Sequence, residues 1–185
     1  MVLTEEQQLI AEAARRFAEG VLAPGAEARE KAGTIEPAVI RGLAEIGLLG
    51  MTVAQVYDGV GADYVSYALA LMEVARGDGA VSTMMSVHNA PFCAILERYG
   101  SEEQKDTLLR PGARGEFIGA FGLTESQAGS DASALRTRAV REGDDYVLNG
   151  SKQFITSGRI ASVSTNMPLI KGFSVIGVRA GEYGR

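Results

Sequence analysis

The segment from residue 121 to residue 131 holds the residue types best suited to binding a polar ligand. It reads Phe-Gly-Leu-Thr-Glu-Ser-Gln-Ala-Gly-Ser-Asp, with polar residues following Leu123. Successive backbone N–H groups in a loop that contains Gly129 and Ser130 can hold an anionic or carbonyl-rich ligand, because glycine permits unusual backbone angles. The hydroxyls of Thr124 and Ser130 both donate and accept hydrogen bonds. From residue types alone, the segment is either a ligand-binding loop or an ordinary turn.

Two carboxylates lie in the same segment. Glu125 and Asp131 suggest acid–base chemistry, but carboxylates in loops more often accept hydrogen bonds from nearby backbone N–H groups. We therefore predict structural roles for both side chains.

Nucleophilic, metal and common nucleotide sites have little support. Cys93 is the only cysteine and His88 the only histidine, whereas a structural zinc site needs several such ligands. Cys93 stands among apolar residues, which favours a buried inert thiol over a nucleophile activated by a base. Gly59 and Gly61 are not followed by a third glycine at the dinucleotide-binding spacing, since Tyr64 holds that place.

The composition is that of a folded globular protein. The 185 residues are 46% hydrophobic and 22% charged, enough for one large domain or two small ones. The net charge of -5 and the scattered basic residues argue against a nucleic-acid partner. No apolar run approaches the roughly 20 residues of a membrane span, and the N-terminus lacks signal-peptide features. We expect a cytoplasmic protein.

The first 113 residues read as helices. Thr4 and Gln7 form a capping box, and apolar residues then recur every four positions until Pro24 and Gly25, which should end the helix. Further helices are predicted from Pro37, over 64–76, over 79–98 with a kink or break at Pro91, and from Ser101 to near Pro111.

From Phe117 onward, β-branched and aromatic residues dominate. Strands are predicted around 134–142, 146–148, 152–156 and 173–178, with a turn over 142–145 and a hairpin signal at Asn149-Gly150. The sequence therefore predicts an α+β multidomain protein. An N-terminal all-α domain (1–113) is followed by an incomplete antiparallel β domain (114–185).

The run Gly-Leu-Thr-Glu-Ser-Gln-Ala-Gly-Ser-Asp-Ala-Ser-Ala from Gly122 to Ala134 resembles the signature of the acyl-CoA dehydrogenase family. Segments 86–89, 99–105, 114–121 and 146–158 also resemble that family, in the same order. The resemblance covers residues 3 to about 162 and looks most like the bacterial short-chain branch.

This resemblance implies an FAD site in the β domain. The family positions that line the flavin match Phe121, Leu123 and Thr124 on one side and Phe154, Ile155 and Thr156 on the other. Gly129 and Ser130 match the family loop that touches the FAD pyrophosphate and the CoA pantetheine, which implies that Ser130 also binds substrate. On the substrate side we expect Met84, Val87 and His88 near the acyl pocket, with His88 as a packed helix residue rather than a catalyst. Core packing explains Met84 and Val87 equally well.

The implied reaction is α,β-dehydrogenation of an acyl-CoA thioester. A carboxylate removes the Cα proton while hydride passes from Cβ to flavin N5, and an electron-transfer flavoprotein then reoxidises the FAD. The family's base is a glutamate in a C-terminal four-helix domain that these 185 residues do not match, and the pattern weakens after Ala161. We therefore expect a truncated form with negligible activity by itself, in a family that forms dimers or tetramers.

Two alternatives remain open at this point. The same scaffold supports acyl-CoA oxidases and flavin monooxygenase relatives, which consumption of oxygen would reveal. A non-catalytic module for flavin or CoA binding, or for assembly, would also retain these segments.

Overall fold

The computed structural model describes residues 2–143, 145–166 and 176–179. The chain divides into two compact units, Met1–Glu116 and Phe117–Arg185. The described part of the first unit is helical and that of the second contains the strands, so the predicted α+β class is confirmed. The predicted boundary after residue 113 lies close to this division.

The helices of the first unit follow the predicted order. They are α1 (Glu5–Phe17), α2 (Ala23–Ala32), α3 (Pro37–Glu45), α4 (Tyr64–Gly77), α5 (Gly79–Val87), α6 (Ala94–Tyr99), α7 (Glu102–Gln104) and α8 (Arg110–Ala113). The predicted capping box at α1 is confirmed: the Gln7 N–H donates to the Thr4 hydroxyl at 3.2 Å, and the Gln7 side chain accepts from the Thr4 N–H at 3.1 Å. Helix α1 packs against α4, and α4 packs against α5.

Three prolines lie within longer helical stretches, each beside a π-helical turn. The π segments are Ala18–Leu22 before Pro24, His88–Cys93 around Pro91, and Lys105–Leu109 before Pro111. A π turn bonds five residues back, which widens the helix where proline lacks an N–H and crowds the carbonyl four residues earlier. The prediction that Pro24 and Gly25 end the first helix is therefore wrong, because the helix continues to a left-handed Gly33. At Pro91, where a kink or break was predicted, the chain does not break: it stays helical from Gly79 to Tyr99. Gly100 and Ser101 then separate it from a last helical stretch over 102–113.

A fully buried apolar core lies at the centre of the first unit. It includes Leu22, Leu43, Leu49, Met51, Val74, Val81, Met85, Phe92 and Leu109. One ion pair is buried with it: Arg29 donates from Nε to Asp78 Oδ2 at 2.7 Å. The same Asp78 carboxylate caps α5 by accepting from the N–H groups of Ala80 and Val81.

The described strands of the second unit form two sheets. Strand β1 (Gly119–Gly122) pairs in parallel with β4 (Val163–Asn166), and β4 pairs antiparallel with β5 (Ile176–Arg179). Strands β2 (Arg138–Glu142) and β3 (Asp145–Asn149) form a separate antiparallel hairpin. Antiparallel pairing was predicted, whereas the parallel β1–β4 pair was not.

One predicted strand is wrong. Residues 152–156 form irregular backbone, and Asn149-Gly150 makes no hairpin, because β3 already pairs with β2. Gly150 instead approaches Thr137 so closely that a Cβ atom added to the glycine would lie 2.2 Å from the Thr137 hydroxyl. Of the predicted strand at 173–178, residues 173–175 lie outside the described part, and so does the family-like segment 171–174. Within the described residues, no helix is both long enough and apolar enough to cross a membrane.

Candidate functional site

The signature loop, which is the loop formed by the family signature at residues 122–134, begins at Gly122, where β1 ends. The N–H of Glu125 donates to the Ala128 carbonyl at 3.0 Å, and the Ala128 N–H donates back to the Glu125 carbonyl at 3.1 Å, which closes a tight turn. The turn leaves Gly129 and Ser130 exposed. Asp131 accepts from the backbone N–H of Ser133 at 3.0 Å, which confirms its predicted structural role.

Gly129 does not use the backbone freedom that the sequence suggested. Its φ lies outside the left-handed region, and a Cβ built on it would meet nothing within 4 Å. The sequence-based argument from unusual backbone angles is therefore wrong at this position. What the glycine provides is open space above the loop backbone.

The structure brings the two predicted flavin-contact segments together. The Gln153 N–H donates to the Thr124 carbonyl at 2.8 Å, and the Lys152 ammonium donates to the Leu123 carbonyl at 3.0 Å. A turn then follows, in which the Gly158 N–H donates to the Ile155 carbonyl at 3.0 Å. Segment 123–124 and segment 152–153 are therefore neighbours.

Phe154 differs from the other predicted flavin-contact residues in its exposure and its backbone conformation. Its side chain is 90% exposed and its φ is 56°, a left-handed conformation that non-glycine residues rarely adopt. Ser157 also has a positive φ, of 62°. Such conformations cost free energy and are concentrated at functional sites. The other predicted flavin-contact residues are half-buried: Phe121, Leu123, Thr124, Ile155 and Thr156.

Glu125 is buried at the base of the loop and is surrounded by donors. Lys152 donates to Oε1 at 2.8 Å, and the backbone N–H groups of Arg136 and Thr137 donate at 2.7 and 3.0 Å. Burial acts to raise the pKa of Glu125, but these donors outweigh it and hold the pKa well below its usual range. The predicted structural role of Glu125 is confirmed. Lys152 was missed, since one lysine in a polar stretch gives no signal before its partner is known.

The predicted substrate-side residues belong to the first unit, where two of the three are buried. Met84 and His88 have almost no exposed surface, whereas Val87 is half-buried. His88 Nε2 lies 3.0 Å from the Gly112 carbonyl, and its ring stacks on Phe92 with centroids 5.6 Å apart. Burial lowers the pKa of His88 to about 4, so the neutral ring donates to Gly112. Burial likewise raises the pKa of the Cys93 thiol, as expected for an inert cysteine.

Comparison with known families decides the assignment. Residues 4–116 match the model described as "Acyl-CoA dehydrogenase, N-terminal domain", and residues 120–180 match the middle domain of the same family. The chain belongs to the acyl-CoA dehydrogenase family. The signature loop, its turn and the Phe154 segment are therefore features of an acyl-CoA dehydrogenase middle domain.

Individual relatives agree with this assignment. A short-chain-specific acyl-CoA dehydrogenase of Clostridium acetobutylicum is 39% identical over 159 residues, which are 86% of this chain and 42% of the relative. The structure of butyryl-CoA dehydrogenase from Megasphaera elsdenii matches with a TM-score of 0.92 at 34% identity, over 100% of this chain and 51% of that one. Glutaryl-CoA dehydrogenase of Mycobacterium smegmatis, solved with FADH2, matches with a TM-score of 0.92 at 36% identity, covering 97% and 46%. The chain thus spans less than half the length of the curated relatives it matches.

Proposed function

We propose that this chain contributes FAD-binding and acyl-CoA-binding surface to an acyl-CoA dehydrogenase. The observation that carries the proposal is the joining of Leu123–Thr124 to Lys152–Gln153 by two hydrogen bonds, with the exposed Phe154 directly after them. Family membership supports FAD as the ligand of these segments, because a relative was solved with FADH2.

The residues present fit a flavin. Phe154 offers a solvent-exposed aromatic ring on strained backbone. Contact with a planar apolar ring would offset the free-energy cost of this arrangement. Thr124 and Thr156 offer half-buried hydroxyls that suit the polar edge of such a ring. Above Gly129 the backbone is open to close approach by a phosphate group.

We assign roles to these residues as follows. Phe121, Leu123 and Thr124 would contact the flavin from the signature loop, and Phe154, Ile155 and Thr156 from the second segment. Gly129 and Ser130 would contact the pyrophosphate, and Ser130 also the pantetheine of the substrate.

Bound FAD supplies the two-electron acceptor for α,β-dehydrogenation of an acyl-CoA thioester. The protein's contribution is to hold the Cα–Cβ bond in place and to exclude water, so that hydrogen bonds to the thioester carbonyl strengthen. The family resemblance assigns proton removal to a glutamate that is not among these residues. Met84 and His88 are buried, so we propose an indirect role for both in shaping the acyl pocket, with the half-buried Val87 offering the accessible surface.

Membership in the family also suggests partners. We propose an electron-transfer flavoprotein as the electron acceptor and further copies of the chain as oligomeric partners, in a cytoplasmic setting.

Mapping the binding surface tests this proposal. In a titration of the 15N-labelled chain with FAD, we expect the amide resonances of residues 121–131 and 153–156 to shift most. Shifts confined to the helical unit would contradict the assignment, and so would a spectrum that FAD leaves unchanged.

A further inference from the structure

A buried ion pair lies next to the proposed flavin-contact segments. The Glu125 and Lys152 side chains are 3% and 11% exposed, and their Oε1 and Nζ atoms are 2.8 Å apart. Buried charges of this kind are costly unless every hydrogen-bonding group is paired. Both residues lie beside positions that we assign to the flavin, since Glu125 follows Thr124 and Lys152 precedes Phe154 by two residues.

The Glu125 carboxylate connects three parts of the unit. It accepts from Lys152, from the backbone of Arg136 and Thr137, and from Gln127 Nε2 at 2.6 Å. These four donors occupy both oxygens, so the carboxylate has no role left as a proton acceptor. Its remaining role is to hold the loop, the segment before β2 and the segment before Phe154 against one another.

Lys152 extends this connection to the loop backbone. Besides the Glu125 carboxylate, its ammonium binds the Leu123 carbonyl at 3.0 Å, and the next residue, Gln153, binds the Thr124 carbonyl through its N–H at 2.8 Å. The Phe154 conformation, at a φ of 56°, persists only if its surroundings impose it. The lysine contacts are adjacent to that residue and supply such a constraint.

We propose that Glu125 and Lys152 are positioning residues that fix the Leu123–Thr124 and Phe154–Thr156 segments relative to each other and so shape the FAD site before the cofactor binds. This inference rests on the proposed function. It adds that a buried charged pair outside the proposed ligand contacts sets the geometry of the residues that make those contacts.

The test compares four variants of the 185-residue chain. Lys152→Met removes the cation, and Lys152→Arg keeps it with a different shape. Glu125→Gln/Lys152→Met removes both charges, so no unpaired charge stays buried. This variant should keep its fold even if Lys152→Met does not fold. Arg138→Met, at an exposed position in β2, is the matched control.

Two readouts are measured for each variant. Amide hydrogen exchange without FAD reports the Gln153 N–H bond directly, with the amides of β2 and β3 as an internal reference. The FAD dissociation constant, from flavin fluorescence, reports the site. For Lys152→Met and the double variant we expect Gln153 to exchange about tenfold faster or more, unchanged β2–β3 exchange, and FAD binding weakened about tenfold to a hundredfold. Lys152→Arg should fall between these and the wild type, and Arg138→Met should match the wild type.

Two results would overturn the inference. One is a Gln153 amide that stays protected without Lys152. The other is uniformly faster exchange across Gln153, β2 and β3, which would mean a general structural role. If the wild-type chain takes up no FAD, the proposed function fails, while the exchange data still decide whether the pair positions the two segments.

Discussion

The backbone N–H of Gln153 donates a 2.8 Å hydrogen bond to the carbonyl of Thr124. These residues lie in segments far apart in the sequence, and no sheet ladder joins them, since residues 150–156 form no strand. The bond therefore joins the start of the signature loop to the residue before Phe154, in a segment that has no regular secondary structure. Such an arrangement depends on individual side chains, so single substitutions should separate binding from folding.

Replacing Phe154 with glycine should weaken FAD binding without destabilising the fold. Glycine adopts positive φ without strain, and the lost ring is almost fully exposed, so we expect the free energy of unfolding to stay constant or rise by about 1 kcal/mol. FAD affinity should fall about tenfold, because an aromatic contact is lost. Urea unfolding and a fluorescence titration measure the two effects.

Ser157→Gly is the matched control, since Ser157 also has a positive φ but is not assigned to the site. It should relieve strain without a loss of affinity. Equal FAD affinity of the Phe154→Gly and wild-type chains would remove Phe154 from the site.

Gly129→Ala should weaken FAD binding without disturbing the fold. The added methyl meets nothing within 4 Å in the free chain, so the free energy of unfolding should change by less than about 0.5 kcal/mol. The same methyl would obstruct a phosphate group that approaches the loop backbone, which should raise the FAD dissociation constant about tenfold. Gly20→Ala, also in open space but in the helical unit, is the control. Unimpaired binding by Gly129→Ala would show that FAD does not approach this backbone.

His88 should make the helical unit less stable as the pH falls. Its pKa is lowered to about 4 in the fold, whereas the unfolded chain takes up the proton near pH 6.5. Protons therefore bind preferentially to the unfolded state below pH 6.5, and about 2 kcal/mol should be lost between pH 7 and pH 5. His88 is the only histidine in the chain, so His88→Gln should remove this slope, as measured by circular dichroism during urea unfolding at each pH. A slope that persists in the variant would contradict the account of a buried neutral His88.

The buried Arg29–Asp78 pair should show strong coupling. The two side chains are 5% and 6% exposed, so Asp78→Asn leaves the buried Arg29 charge with only the exposed Glu36 carboxylate, 3.7 Å away, and should cost about 3 kcal/mol. The double variant Arg29→Met/Asp78→Asn should be less destabilised than the sum of the single variants. Lys31→Met, which breaks an exposed pair with Glu27, should have little effect. Additive single effects would mean that the two charges do not stabilise each other.

Local signals explain what the sequence predicted correctly. Thr4 with Gln7 and Ser101 with Gln104 predicted helix starts because a capping box uses only neighbouring residues. Pro24 misled the prediction, because a π turn next to a proline depends on how the helix packs rather than on the local residues. The parallel β1–β4 pair could not be predicted for a similar reason: its register joins residues distant in sequence.

The site shows the same limit. Family resemblance indicated Thr124 and Phe154, yet neither the resemblance nor residue type indicated the positive φ of Phe154 or the Glu125–Lys152 pair. Asn149-Gly150 suggested a hairpin into residues 152–156, but Lys152 binds the signature loop instead. The Phe154 conformation and the Glu125–Lys152 pair both depend on contacts between segments, which one sequence does not reveal.

The most direct test of the central claim is the FAD dissociation constant of the 185-residue chain, measured beside that of its Gly129→Ala/Phe154→Gly variant. We predict saturable binding of one FAD per wild-type chain, weakened by a hundredfold or so in the variant if the two effects add. A wild-type chain that does not bind FAD, or a variant that binds it equally well, would contradict the claim that these segments form the flavin site.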